Sequence, residues 1–118
     1  MSKAIEKLAA LAGMLRDAEL SKLAARAAER RKIEGEISEL RQQRHALSQL
    51  AEDGPAKQVH AEALWQCWAE TRMKALSADA AQAAARSEAQ IPVARRAFGR
   101  AQALQKIASA TRAVSRRD

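Results

Sequence analysis

Apolar residues recur every three or four positions through nearly the whole chain, a spacing that predicts helix rather than strand. Ile5, Leu8, Leu11, Ala12 and Leu15 open the first run, with Ser2 placed as an N-cap. The apolar seam thins through Leu20, Leu23, Ala24, Ala27 and Ala28. It then recovers as Ile33, Ile37, Leu40, Arg44, Leu47 and Ala51. That last series alternates steps of four and three, the spacing of a coiled-coil seam. Arg44 falls in one of its slots, where a long aliphatic stem can carry the charge outward. The pattern predicts a first helix over about 2–52. Gly13 and Gly35 interrupt it at a cost of about 1 kcal/mol each relative to Ala. They either permit close approach or are simply tolerated.

A second run begins near Ala56 and is expected to continue to about Val114. Its seam candidates are Val59, Leu64, Trp65, Trp68, Met73, Leu76 and Ala80, then Ala83, Ala84, Ile91, Ala94 and Phe98. Ala101, Leu104, Ile107 and Val114 complete it. The spacing drifts from a strict heptad, which predicts an irregular twist. Pro92 removes one backbone donor and predicts a bend or a break, with Gly99 close by.

Between the runs lies Glu52-Asp53-Gly54-Pro55, the one place where acid, glycine and proline fall together. Gly suits the end of a helix and Pro the first turn of the next, while Asp53 can cap the following amides. Residues 53–55 therefore predict a tight turn, and two long helices joined so closely must fold back on each other. The expected fold is all-α, a single monomeric antiparallel coiled-coil hairpin. If Glu52 faces Ala56, facing residue numbers sum to about 108. Leu40 then lies opposite Trp68, the alanine blocks near 24–28 and 80–85 face each other, and residues beyond about 107 overhang the first helix. Two unbroken helices dimerising in parallel are the alternative.

Composition supports long helices. About a quarter of the chain is Ala, there is no Tyr or Asn, and Trp65, Trp68 and Phe98 are the whole aromatic set. So few bulky residues suit a thin seam better than a globular core, and such a seam expects a partner. The formal charge of +7 is unevenly spread. Residues 1–52 hold ten Lys/Arg against eight Asp/Glu, whereas 91–118 hold seven against one. A basic end implies an acidic partner or a solubilising tail. Cys67 is single, so no intrachain disulfide forms, and no run matches a membrane span or a secretory leader. The expected location is the cytoplasm, including the inner face of the cell membrane.

Catalytic chemistry is not legible. His45, His60 and Cys67 lack the close spacing of a zinc site. There is no glycine-rich phosphate loop, nucleophile elbow or paired-carboxylate pocket, so neither enzymatic activity nor a cofactor is expected. Trp68 and Arg72 stand four apart, close enough for a cation–π contact if Trp68 is not drawn into the seam. Trp65 points about 60° away from Trp68 around the helix. An exposed Trp beside Arg is a common protein-binding anchor.

The stretch Ala94-Arg95-Arg96-Ala97-Phe98-Gly99-Arg100-Ala101-Gln102-Ala103-Leu104, with Leu64-Trp65-Gln66-Cys67-Trp68 and Arg72 upstream, resembles the FliJ-like family of flagellar type III export proteins. The likeness covers the whole chain in architecture and parts of the second helix in motif. It implies a hairpin similar to the central stalk of rotary ATPases, whose terminal end enters the pore of a hexameric export ATPase. Contact with the membrane export gate and with export chaperones is also implied. On that reading Arg95, Arg96, Arg100, Arg112 and Arg116 meet the ATPase ring, while Trp65, Trp68 and Arg72 serve a second partner. The rivals are a basic helical arm that binds nucleic acid and a generic coiled-coil adaptor.

Overall fold

The computed structural model describes residues 2–51 and 56–117, with side chains over 2–50 and 59–116. Two helices make up the described chain, α1 (Ser2–Ala51) and α2 (Ala56–Arg117). The fold is an all-α antiparallel coiled-coil hairpin. The expected turn at 53–55, and Glu52 before it, lie outside the described residues. α2 runs past the expected limit of Val114 to Arg117. A cation such as Arg116 in the last turn suits the negative end of the helix dipole.

Contacts divide the chain into two compact units. Unit 1 joins Met1–Arg26 with Arg86–Asp118, and unit 2 spans Ala27–Ala85. Within unit 2 the core is Leu40, Ala69 and Leu76, against which Ile33, Ile37, Trp65 and Met73 pack. Within unit 1 the buried apolar residues are Ala9, Ala12, Ala94, Ala101 and Ala108. In both units the pairing is antiparallel. Arg72 approaches Glu36 in unit 2, and Gln90 donates hydrogen bonds to Glu19 in unit 1. Both pairs match the register in which facing numbers sum to about 108.

The seam differs from the one that large apolar residues suggest. On α2 the covered positions include 62, 66, 69, 73, 76, 80, 83, 87, 90, 94, 97, 101, 104, 108 and 111, an alternation of four and three, and half-buried Trp65, Ala84, Ile91 and Val93 flank that series. The expected drift is therefore corrected: α2 keeps a strict heptad. Its slots include Glu62, Gln66, Ser87, Gln90 and Thr111, and otherwise several alanines, which a count of bulky apolar residues passes over. Val59, Leu64, Trp68, Phe98, Ile107 and Val114 are exposed, not seam residues.

α1 keeps the same period at Ser2, Ile5, Ala9, Ala12, Arg16, Glu19 and Leu23, then at Arg30, Ile33, Ile37, Leu40 and Leu47. At the unit boundary Ala27 is half-buried, while Arg26, in the regular slot, is exposed. Leu8, Leu11, Leu15 and Leu20 are exposed, and so are Ala24 and Ala28. The physical reason is spacing. The most buried slots of unit 1 hold alanine, whose small side chain suits helices packed at the short end of the usual 8–10 Å range. Calling slots a and d, with Ala9 and Ala94 at a, places Leu8, Leu15 and Ile107 at g and Leu11 at c. These flank the seam on one side.

Pro92 lies inside α2 without breaking it. It sits at an outward, exposed f position, where the Glu88 carbonyl that loses its amide partner can turn to water. None of the described glycines has a positive φ. A Cβ added at Gly35 or Gly99 meets nothing within 4 Å, and one at Gly13 meets only the Arg16 guanidinium at 3.8 Å. These glycines are tolerated, and close approach does not require them.

Candidate partner-binding site

The two tryptophans divide the work that the sequence leaves open between them. Trp65 is half-buried against the Leu40 cluster, whereas Trp68 is 55% exposed. Their rings lie 6.2 Å apart between centroids and are tilted by 47°. Ala69 takes the seam slot beside Leu40, which turns Trp68 to the flank and corrects its expected seam role. Arg72 directs Nη2 toward Glu36 Oε2 at 3.7 Å across the hairpin. Among the described residues Arg72 makes no cation–π contact with Trp68, because the carboxylate opposite draws the guanidinium. Trp68, Arg72, Leu40 and Glu36 instead line a shallow cleft of about 200 Å³.

The basic candidates all lie in unit 1. Arg95, Arg96, Arg100, Arg112 and Arg116 are exposed. Arg95, Arg96 and Arg100 make no ion pair with a described residue. Arg112 is tied to α1, with Nε 3.1 Å from Glu6 Oε1. The expected overhang beyond residue 107 is thus corrected at Arg112. Helical side chains slant toward their own N-terminus, so Arg112 reaches back to the level of α1. By unit, the charge asymmetry sharpens. Unit 1 holds thirteen Lys/Arg against five Asp/Glu, and unit 2 holds eight against nine.

The Glu19 carboxyl is held below its ordinary range. Gln90 Nε2 donates to it, and this is the main cause. Partial burial opposes the shift, while Lys22, 3.3 Å from Oε1, adds to it. Elsewhere, Arg44 extends outward from its seam slot toward Glu70, with 3.9 Å between Nη2 and Oε1. His45 lies 3.2 Å from Gln49 through their side-chain nitrogens. His45, His60 and Cys67 are exposed. Among the described residues no three His, Cys, Asp or Glu side chains gather to hold a metal, and no helix is long and apolar enough to cross a membrane.

What the sequence reading missed is a groove in unit 1. Leu8, Leu11, Leu15, Arg100, Leu104 and Ile107 line an almost wholly apolar depression of about 340 Å³. Leu8 and Leu11 are each 53% exposed and Leu15 58%. Assigned to the main seam by their size, these leucines form a second one. The signal was present in the alanine heptads at 9, 12, 94, 101 and 108, which claim the slots the leucines do not occupy. Comparison with protein-family models, with curated proteins and with solved structures finds no match to this chain.

Proposed function

We propose that the chain is a non-enzymatic coiled-coil component of a flagellar or type III protein export apparatus, a stalk-like partner of the export ATPase and the export gate. One observation carries the reading: the chain segments nearest both termini share the unit that holds the basic excess, thirteen cations against five acids. A basic end suits insertion into a ring pore lined by acidic or polar groups. The motif around Arg95, Arg96, Phe98 and Arg100 supports the same assignment. The face carrying Trp68 and Arg72 is left for the gate or a chaperone. In this reading the protein works at the cytoplasmic face of the cell membrane.

The test is association with, and stimulation of, a purified hexameric export ATPase. Changing Arg95, Arg96 and Arg100 together to Glu lowers the association rate, most clearly at low salt, since steering by charge is screened as salt rises. Tight binding of short DNA or RNA at physiological salt, without binding to the ATPase, overturns this reading in favour of a nucleic-acid arm.

A further inference from the structure

In unit 1 the fully buried seam slots are alanine apart from Ser87, and Leu8, Leu11 and Leu15 lie alongside. Leu8, Leu11 and Leu15 of α1 repeat at g and c positions, and Ala103 and Ile107 of α2 repeat at the same positions opposite. Apolar residues at a, d, c and g mean two seams on each helix, one closed by the hairpin and one open. The open seam is concave, bounded by the two helix ridges, with about 340 Å³ of space. Its rows have helical period on both sides, so the body that fits it is a third helix laid along the hairpin.

Charge identifies the kind of helix. Over the described part of unit 1, positions c, f and g carry Lys7, Lys22, Arg86, Arg96, Arg100 and Lys106 and no Asp or Glu. The acids Glu6, Asp17, Glu19 and Glu88 all fall on a, b, d or e positions. Arg100 itself lines the groove, and Arg96 follows one turn earlier on the same ridge. A second copy of this chain seated here would set these cations against one another. A flat bilayer would touch the ridges and leave the floor of the groove empty. We infer that the groove along Leu8, Leu11, Leu15 and Ile107 is a docking site for an amphipathic helix of a partner protein, whose apolar stripe is bordered by Asp or Glu. This site is distinct from the export reading, and its test involves no ATPase.

The probe is a labelled three-heptad peptide with Leu at a and d and Glu at e and g, kept apart from its own copies at neutral pH by like charge. Mixed with the full-length chain, it gains helix by circular dichroism, and its fluorescence anisotropy rises and saturates. Leu11→Glu with Leu15→Glu weakens binding by about tenfold or more, because each buried leucine carries roughly that factor. Both side chains are exposed, so the variant keeps the helicity and melting temperature of the parent. Leu64→Glu, on an exposed position of unit 2, leaves binding unchanged. Arg96→Glu with Arg100→Glu weakens the Glu-bordered peptide and strengthens a Lys-bordered one. Three results overturn the inference: equal binding of the two peptides to the parent chain, a parent dimer that the double leucine variant converts to monomer, or binding to phosphatidylserine vesicles with none to the peptide.

Discussion

In unit 1, alanine at buried positions and leucine at exposed ones reverse the usual assignment, and substitutions test it directly. Phe98 is 50% exposed, so Phe98→Ala costs under about 1 kcal/mol, well below the 3–5 of a buried Phe. Ala101 is fully buried, and Ala101→Leu forces the helices apart at a cost of about 1–3 kcal/mol. Denaturant unfolding compares the two, and a larger loss for Phe98→Ala than for Ala101→Leu would contradict this seam. Gly35→Ala and Gly99→Ala meet open space and each stabilise by about 1 kcal/mol. Glu19 adds a pH dependence. Its folded pKa is depressed, so its contribution is present above the ordinary glutamate range and is lost as pH falls through the lower folded value. Gln90→Leu removes the main cause of that shift. The gap in unfolding midpoint between parent and variant is therefore widest near neutral pH and narrows in acid.

For the elements, helix continuity through Pro92 is the informative feature. Alanine and long straight side chains supply enough propensity around it that α2 persists despite one missing hydrogen bond. Because Pro92 faces outward, Pro92→Ala restores that bond without disturbing packing and stabilises α2 by about 3 kcal/mol. Hydrogen exchange in the parent shows weaker protection near Pro92 than over 76–86, and the variant removes the difference. Equal protection in the parent would mean that the ring costs the helix nothing. The strict heptad of α2 also accounts for the polar residues in its slots. Gln90 is useful there because Glu19 stands opposite to accept its bond.

At the scale of the whole molecule, the hairpin and its charge are the testable properties. Spin labels at 27 and 81 both lie in unit 2, on opposite helices. Their separation corresponds to helix axes roughly 8–10 Å apart and does not change when labelled chains are diluted with unlabelled ones. A separation that vanishes on dilution would point to a dimer of unbroken helices instead. On the proposed reading partner binding is governed by unit 1, where cations outnumber acids by thirteen to five. Association with acidic partners therefore falls with salt, and substitutions in the near-neutral unit 2 leave that dependence unaltered.

The sequence by itself determined the helical hairpin, its register and the basic end. Helical period, alanine content and the Asp-Gly-Pro sequence between two helical runs are local properties, readable without knowing what packs on what. It also led to the right cluster around Ile33, Ile37 and Leu40, because there the bulky residues are the seam residues. Tertiary structure alone decided which stripe closes in unit 1. Two apolar stripes run side by side there, and hydrophobicity favours the leucines. The alanine stripe is the one buried, and because small side chains let two helices pack closely, that choice depends on both helices at once. The same cause moved Phe98 to the surface and left Leu8, Leu11 and Leu15 exposed.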